Sequence, residues 1–314
     1  MDGFINLNKP SGLTSHGCVD QVRKQFPGVK VGHAGTLDPA ATGVLPICLG
    51  RATRLVEFLM ESNKGYRAGV QLGVATDTED AQGKVLEKHP VPDLDQAMLK
   101  SVLQDLTGEQ EQTPPAYSAV KYHGRPLYYW ARKGISIPGK ARTIKIYSLH
   151  MLQFNPCGQP HLLLDVVCSK GTYIRTLAAE IGRRIGCGAC LWNLERYFVG
   201  AFSLDHALTL QDLQTAAGQG NLKSLLIPMD KTLQHLPALT LDQAAERLLK
   251  QGRALDYQQL TTEAAPEPTG TPIRIYGSEG RFLGLAQWVS DGETIFLKTV
   301  KYLAADEGEQ VRWS

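Results

Sequence analysis

The sequence predicts an α+β protein with a small second domain rich in β-strands, and three observations indicate this. Helix-like and strand-like segments mix in the first part of the chain without the strand–helix–strand repeat of a doubly wound fold. After Pro237 the pattern changes to short strand-like runs separated by glycine turns. The length of 314 residues also exceeds that of a usual single domain. We therefore expect two domains, at residues 1–235 and 236–314.

The chain begins with an extended stretch from Gly3 to Leu7, a turn at Pro10 to Gly12, and a helix that Ser15 can cap. Apolar residues at helical spacing predict the buried face of this helix: Val19, Val22 and Phe26. Farther along, residues 66–74 have the pattern of a strand.

A strand, a turn and a helix follow one another at residues 161–185. The alternation in residues 161–168 predicts a strand with three side chains on one face: Leu162, Leu164 and Val166. After the Gly171 turn, apolar residues recur at helical spacing up to Ile185. This arrangement should present Tyr173 and Arg175 at the start of the helix.

The remaining chain reads as a helix-rich stretch at 205–226 and then the second domain. There, a helix at Asp242 to Leu249 precedes strand-like runs, as in a small β-barrel: 272–276, 281–289 and 293–300. Residues 261–270 between them have the composition of a mobile loop.

The net charge of +2 hides an uneven distribution, because residues 112–164 contain no acid. This stretch interleaves basic residues with aromatic ones, among them Tyr117, Tyr122, Tyr128, Tyr129, Trp130 and Tyr147. Clustered cations neutralise phosphates and aromatic rings stack on bases, which predicts a nucleic-acid-binding face. The alternative is that the aromatics belong to the core and the cations form a solvated rim.

Other compositional features exclude several classes of protein. No stretch approaches the roughly 18 apolar residues of a membrane span, and the N-terminus lacks a secretion signal, so we expect a cytoplasmic protein without membrane contact. Of the six cysteines, Cys187 and Cys190 form one C-x-x-C pair without a second, which favours reduced thiols over zinc. The acidic run from Asp77 to Asp80 lacks the pattern of a calcium loop and is interpreted as solvated, so no metal site is expected.

One carboxylate stands in a turn rich in glycine and proline. Residues 32–46 read GHAGTLDPAATGVLP and place Asp38 between two apolar stretches. A carboxylate on such a loop can face a cleft and meet a substrate, as a nucleophile must. An Asp-Pro pair is also a common turn or cap, and the pattern alone leaves both interpretations open.

Together with this segment, several others resemble the signature of the bacterial tRNA pseudouridine-55 synthases, the TruB family. They are Ile5 to Ser15, Lys64 to Arg67, Thr76 to Gly83, Pro115 to Lys121 and Cys168 to Leu177. They span most of the first 200 residues in the order of the family. The resemblance implies a mixed, largely antiparallel sheet with flanking helices and a small, barrel-like C-terminal PUA domain that binds RNA.

The resemblance also implies an activity, the conversion of uridine 55 in the T-loop of tRNA to pseudouridine, by a monomer without cofactor or obligate protein partner. In this reaction the bond from N1 to C1′ breaks, the uracil rotates, and C5 bonds to C1′. Asp38 matches the family nucleophile, and Arg175 matches the arginine that keeps it ionised. Tyr66 matches a stacking platform and candidate acid or base beside C5.

Because the target base is normally stacked within the T-loop, it must be flipped out to react. Tyr173 and Leu194 match residues that line the base pocket, and His33 matches the histidine that helps to hold the flipped nucleotides. Phosphate contacts are expected from Lys9, Lys121, Arg132, Lys133, Lys140 and Arg142. Without the resemblance, Tyr66 and Leu194 would read as core residues and Arg175 as a surface residue.

Three other functions share some of these sequence features. The catalytic subunit of guide-RNA-directed pseudouridylation shares the aspartate motif but would normally carry basic tails and partner-binding extensions, which we do not expect here. The segments from Asp77 to Gly83 and around Cys187 also resemble the bacterial type. Another alternative is a tRNA-binding chaperone whose isomerase activity is incidental or lost. The combination of Asp38, Tyr66 and Arg175 argues against loss of activity and leaves a folding role beside catalysis open. A carboxylate-dependent hydrolase would need a second carboxylate in the motif.

Overall fold

The computed structural model of the protein describes residues 1–135, 137, 139–260 and 267–304. The backbone divides into two compact units. One comprises residues 6–47 and 56–222, and the other comprises residues 1–5, 48–55 and the described residues from 223 onward. The predicted domain boundary at residue 235 stays a prediction. Residues 261–266 of the predicted mobile loop lie outside the described part.

The first two thirds of the chain mix short helices with strands. The strands are β1 (Gly3–Lys9), β2 (Val31–His33), β3 (Thr42–Leu49), β4 (Lys64–Leu72), β5 (Val74–Thr76), β6 (Val85–Lys88), β7 (Gly108–Gln112), β8 (Lys121–Tyr122), β9 (Arg125–Pro126), β10 (Arg142–Asn155), β11 (His161–Cys168), β12 (Ala189–Val199) and β13 (Phe202–Ser203). The helices are α1 (Ser15–Gln25), α2 (Val56–Met60), α3 (Gln96–Asp105), α4 (Leu127–Ala131), α5 (Ile174–Ile185) and α6 (Leu210–Gly218), with 3-10 turns at Gly50–Leu55, Leu204–His206 and Leu222–Leu225.

A nine-stranded sheet organises these elements, in the order β1-β3-β12-β4-β11-β10-β7, with β13 beside β12 and β2 beside β3. Strands β12, β4, β11, β10 and β7 pair antiparallel in turn, whereas β12 pairs parallel with β3. The predicted α+β class and mixed, largely antiparallel sheet are therefore confirmed. Two small hairpins, β5-β6 and β8-β9, stand apart from this sheet.

The core lies on one face of this sheet, under α3 and α5. The predicted alternation in β11 is confirmed, because Leu162, Leu164 and Val166 are at most 1% exposed. They lie opposite Val70, Ala68 and Tyr66 on β4. Since strand side chains alternate between faces, this register turns Tyr66 toward the core face that also receives α5.

Helix α1 buries Val19, Val22 and Phe26 as predicted. The predicted cap was wrong, because Thr14 is the N-cap and its side chain accepts a hydrogen bond from the Gly17 amide. Ser15 is the first helical residue, and its hydroxyl is directed to a loop instead. A hydroxyl one position inside the helix is free to bond elsewhere, since the cap position is already filled.

The C-terminal part forms a second, five-stranded sheet, curled like half of a barrel, as the PUA-like prediction requires. Its elements are β14 (Ala238–Thr240), α7 (Gln243–Lys250), β15 (Leu255–Asp256), β16 (Pro272–Tyr276), β17 (Phe282–Ser290) and β18 (Ile295–Tyr302), with 3-10 turns at Met229–Leu233 and Tyr257–Gln259. The strand order is β14-β16-β17-β18-β15. Helix α7 packs Ala245 and Leu249 into the core of this sheet.

Two further findings concern membranes and thiols. Among the helices of the described ranges, none has the length and apolar character to cross a bilayer. All six cysteines are free thiols, and Cys157 is the exposed member of the set.

Strand β3 begins where its backbone passes very close to that of β12. Gly43 pairs with Arg196 and has a φ of 100°, in the region that favours glycine. A Cβ atom at this position would lie 2.2 Å from the carbonyl oxygen of Arg196. The parallel contact between β3 and β12 therefore requires glycine at residue 43.

We expect Gly43→Ala to lower the free energy of unfolding by about 2–5 kcal/mol, because it combines an unfavourable φ with overpacking. Gly220→Ala is the matched control, since Gly220 has a φ of 69° and open space around its Cβ position. The control should lose only about 1–2 kcal/mol. Urea unfolding of the two variants measures the difference, and equal losses would contradict the close contact.

Candidate active site

Asp38 lies on the loop between β2 and β3, and buried side chains hold the backbone of this loop. Ser15, which is 3% exposed, contacts Leu37, the residue before Asp38. Its hydroxyl donates to the Leu37 carbonyl at 3.0 Å and accepts from the Leu37 amide at 2.8 Å. Helix α1 thereby fixes the position of the peptide that precedes the carboxylate.

Lys9 holds the other side of the loop. Its side chain is fully buried, and Nζ donates to the carbonyls of Pro10 at 2.9 Å, Pro39 at 3.0 Å and Ala41 at 2.6 Å. An ammonium group has three protons, and all three are used. Burial also lowers the pKa of Lys9. The predicted phosphate contact of Lys9 is therefore wrong, because this side chain has neither exposure nor a proton left for RNA.

Arg196 on β12 completes the support of the loop. It is 1% exposed, and its guanidinium donates to the carbonyls of Val44 at 2.8 Å, Gly35 at 3.0 Å and Thr36 at 3.4 Å. Burial lowers its pKa, which reflects the cost of keeping a cation in the core. Sequence reasoning missed this residue, although its place two residues after Leu194 indicated an inward side chain.

Arg175, in the first turn of α5, forms an ion pair with Asp38. Its Nε lies 3.0 Å from Oδ2 of Asp38, and its Nη2 donates to Oδ1 at 3.4 Å. The arginine side chain is 8% exposed and the aspartate side chain is 42% exposed. A forked guanidinium fixes the plane of a carboxylate as well as its charge. The buried Arg175 therefore holds the carboxylate of Asp38 in a fixed orientation, and that carboxylate faces the cleft.

The acidic run from Asp77 to Asp80 also reaches this site, which corrects its interpretation as a solvated loop. The Thr78 carbonyl accepts from Arg175 Nη1 at 3.2 Å, and the Asp80 carboxylate lies 3.7 Å from the same nitrogen. The Tyr117 carbonyl accepts from Nη2 at 3.0 Å. Burial raises the pKa of Asp38; Arg175 opposes this effect and the Asp80 charge adds to it.

Tyr66 and Leu194 lie on the neighbouring strands β4 and β12, on the core face. Tyr66 is 6% exposed and Leu194 is 8% exposed. Leu194 lines the same cleft as Asp38 and Arg175. Burial raises the pKa of Tyr66 to about 12, and the nearby Arg196 charge acts in the opposite direction. The Tyr66 hydroxyl is therefore protonated at neutral pH.

Tyr173 and His33 lie at the edges of this region. Gln112 brackets Tyr173, with its side-chain oxygen 2.8 Å from the Tyr173 amide and its side-chain nitrogen 3.0 Å from the Tyr173 carbonyl. The guanidinium of Arg142 stands 5.7 Å from the centre of the Tyr173 ring. His33 is half-buried on β2, and burial together with the Arg196 charge lowers its pKa, so its ring is neutral at pH 7.

The other predicted RNA-binding residues are on the surface. Lys121, Arg132, Lys133 and Lys140 are exposed, and Arg142 is half-buried. Several of the interleaved aromatics are exposed as well, including Tyr122, Tyr128 and Tyr147 at 40–46%. Cations stand over some of these rings, with Lys133 4.6 Å from the centre of Tyr129 and Arg132 5.4 Å from that of Tyr128. These particular aromatics are not core residues, contrary to the alternative interpretation.

The described residues contain no group of three or more His, Cys, Asp or Glu side chains that could hold a metal ion. The chemistry that this arrangement can perform is that of a single oriented carboxylate. It lies near a protonated phenol and shares its cleft with an apolar side chain, and the 42% exposure of Asp38 lets solvent reach the carboxylate.

Comparisons with known proteins agree over most of the chain. Residues 23–174 match the TruB family pseudouridylate synthase N-terminal domain, residues 175–234 match the tRNA pseudouridylate synthase B C-terminal domain, and residues 237–295 match the pseudouridine synthase II TruB C-terminal domain. The tRNA pseudouridine synthase B of Aromatoleum aromaticum is 43% identical over 93% of this chain and 90% of its own. That of Syntrophus aciditrophicus is 40% identical over 92% of both chains.

Solved structures show the same fold. A chain in a crystal structure of a Cbf5-Nop10-Gar1 complex superimposes with a TM-score of 0.75 and 27% identity, over 96% of this chain and 85% of that one. A chain in an H/ACA RNP bound to a substrate RNA gives a TM-score of 0.72 and 25% identity over the same shares.

Fold and comparisons together define the class of protein as a pseudouridine synthase. Within that class, the chain belongs to the TruB family, and it is an isomerase that acts on tRNA.

Because Lys9 holds the loop, we expect Lys9→Met to lower the free energy of unfolding by about 2–4 kcal/mol, since buried carbonyls would lose their donor. Lys121→Met, on an exposed residue, should change it by less than about 0.5 kcal/mol. For the salt dependence of tRNA binding, we expect the reverse order: Lys121→Met should have the larger effect. The slope of this dependence should be unchanged by Lys9→Met and should fall by about 0.7–0.9 in Lys121→Met if one phosphate contact is lost. Urea unfolding and binding titrations at several salt concentrations measure both effects.

Proposed function

We propose that this protein isomerises uridine 55 in the T-loop of tRNA to pseudouridine, as a monomer in the cytoplasm without an obligate protein partner. The observation that carries the proposal is the pairing of a half-exposed Asp38 with a buried Arg175 at 3.0 Å. A nucleophilic carboxylate must be ionised, oriented and reachable. The guanidinium supports the first two requirements, and the exposure of Asp38 supports the third.

Two routes use the same residues. In one, a carboxylate oxygen of Asp38 attacks C1′ of the flipped nucleotide and the electrons of the N1–C1′ bond leave with the uracil. The uracil then rotates, and C5 attacks C1′ as the carboxylate is released. C5 loses its proton to water and N1 takes up a proton. In the other, the carboxylate first adds to C6 of the base and the C5–C6 π bond breaks. The carboxylate leaves C6 again, which restores that bond, once C5 has replaced N1 on C1′. In both, the atoms of the uridine are conserved, and the proton on C5 is exchanged with water.

The neighbours of Asp38 suit a pocket for the detached base. Tyr66 is protonated, so we assign it the roles of stacking surface and hydrogen-bond donor beside the base. Leu194 supplies an apolar wall of the cleft, and Tyr173 stands at the start of the helix that carries Arg175. His33, neutral and half-buried, is assigned to holding the flipped nucleotides.

The substrate assignment draws on two further observations. Relatives named tRNA pseudouridine synthase B are 43% and 40% identical, whereas the structurally similar chain from a Cbf5-Nop10-Gar1 complex is 27% identical. The exposed cations and rings of the acid-free segment at 112–164 provide phosphate contacts and stacking surfaces. We assign catalysis to residues 1–235 and an accessory RNA-binding role to residues 236–314.

Asp38→Asn removes the nucleophilic oxygen with little change of shape, so turnover should fall by roughly 10⁴- to 10⁶-fold while tRNA binding is retained. The measurement is tritium release from unmodified tRNA labelled at C5 of uridine. A tRNA with cytidine at position 55 should release no tritium from that site.

Asp80→Asn is the matched control, because Asp80 also faces Arg175 but at 3.7 Å from Nη1. We expect it to lose less than about tenfold in turnover, since a more distant charge tunes the site without reacting. Full activity of a folded Asp38→Asn protein would refute the assignment of the nucleophile. Release that persists with cytidine 55 would refute the assigned position.

Charge reversal at Lys133 and Lys140 together should weaken tRNA binding and reduce its salt-dependence slope by about 1–2, because two phosphate contacts would be lost. Lys24→Glu with Lys100→Glu is the control, since both lysines are exposed, lie outside residues 112–164, and give the same change in net charge. Titrations at several salt concentrations separate the two pairs. Equal effects would indicate a response to net charge rather than a binding face at this segment.

A further inference from the structure

A large aromatic side chain lies exposed beside the catalytic cleft and has no part in the function proposed above. Trp192 on β12 is 48% exposed. It lines the same cleft as Asp38, Arg175 and Leu194. Leaving an indole in water forgoes the stabilisation that its burial would give. Its exposure beside a site for RNA is therefore a feature to be explained.

A β-bulge turns this side chain outward. Leu191 pairs with Val70 on β4, and Asn193 pairs with the next residue, Gly69, so Trp192 is the extra residue on β12. Leu191 and Leu194 are both buried, and the two residues between them are exposed. Regular alternation would place Leu191 and Leu194 on opposite faces. The bulge lets both face the core and frees Trp192 for the outer surface.

Residues on the neighbouring strands β4 and β11 support the indole of Trp192. Gly69 on β4 has no side chain, and a Cβ atom there would lie 2.5 Å from Nε1 of Trp192, so the ring rests against the strand backbone. His161 on β11 stands edge-on to the indole, with ring centres 5.8 Å apart and planes at 75°. These contacts fix the ring as a platform while nearly half of its surface stays open to solvent.

Trp192 lies beside an opening into the cleft that contains Asp38. The edge of β12 away from β4 is bridged to Asp80 at Leu191 and pairs with Thr42 at Glu195. Residues 192–194 lie between these two contacts, where Asp38, Asp80 and Arg175 line the cleft. A nucleotide that reaches Asp38 through this opening brings its neighbours in the strand across the indole.

We propose that Trp192 is a positioning residue that stacks on the base of a nucleotide adjacent to the target uridine, and so holds the RNA strand while the uridine occupies the cleft. This inference rests on the proposed function, because it takes the single-stranded loop of the RNA substrate as the ligand. Stacking on an aromatic side chain suits an unpaired base of any sequence, since every base has a flat π face. The platform thus supplies binding and register rather than base identity.

The test compares the full-length wild type with three variants on an unmodified T-arm RNA labelled at C5 of the target uridine: Trp192→Ala, Trp192→Leu and Trp192→Phe. Stacking on one base is worth about 1–3 kcal/mol, which corresponds to roughly 5- to 150-fold in binding. We expect a loss of this size in kcat/KM for the alanine and leucine variants, mainly through KM. Trp192→Phe should restore most of it. Leucine keeps apolar surface without a ring, so it separates stacking from simple burial.

A second measurement locates the stacked base. The substrate is prepared with an abasic residue at each position flanking the target uridine. At one position, the abasic substrate should lower the kcat/KM of the wild type by as much as Trp192→Ala lowers it with normal RNA. Trp192→Ala assayed with that abasic substrate should show no further loss of kcat/KM. Additive losses at every position would overturn the inference, because they would mean that Trp192 acts through the protein and touches no flanking base.

Indole fluorescence distinguishes direct contact with RNA from a purely structural role of Trp192. With Asp38→Asn to prevent turnover, binding of the T-arm RNA should quench indole emission. The quench should be smaller when Trp192→Phe is added, with the remainder coming from Trp130 in the RNA-binding segment. Equal quenching in both proteins would contradict the platform. Lack of turnover by the wild type would refute the proposed substrate, whereas a wild type that turns over and a Trp192→Ala variant with unchanged kcat/KM would refute the platform alone.

Discussion

The active site depends on the way in which buried side chains satisfy the backbone of one irregular loop. Residues 34–41 have no continuous helix or strand in which their carbonyls could pair, and buried carbonyls need donors. Lys9, Ser15 and Arg196 supply these donors from β1, α1 and β12. Two of the three are cations whose pKa values burial lowers, so the fold accepts a desolvation cost to hold this loop. Asp38 is fixed without using its own carboxylate as an anchor.

That arrangement leaves the Asp38 carboxylate available for chemistry and sets its electrostatic environment. The guanidinium of Arg175 orients it from the buried side, while Asp80 faces the same guanidinium. Burial raises the pKa of Asp38 and Arg175 lowers it, so the ion pair works against the tendency of the pocket to protonate the carboxyl group. An active-site carboxylate in a partly dry cleft needs such a partner to remain ionised.

Strand β12 combines three tasks through its side-chain register. Leu194 faces the cleft, Arg196 supports the Asp38 loop, and the bulge at Trp192 directs an indole to the outer surface beside the opening. Gly43 on β3 and Gly69 on β4 make room for these features, since a Cβ atom at either place would collide with β12. The support of the loop, the wall of the cleft and its rim thus share one rigid element, which keeps their relative positions constant.

The sequence by itself determined the α+β class, the strand at 161–168, the helix that follows it, and the motif that carries Asp38, because these depend on local periodicity and turn residues. Tyr66, Arg175 and Leu194 became candidates for one site only through the resemblance to the TruB family, since their local patterns are those of core and surface residues. Only the tertiary structure decided the partners of the polar residues. Lys9 read as a phosphate contact, Ser15 as a helix cap and Asp80 as part of a solvated loop, yet long-range contacts hold Lys9 and Ser15 to the Asp38 loop and bring Asp80 to Arg175. A polar side chain can bond to any nearby donor or acceptor, and which one is near depends on segments far apart in the chain.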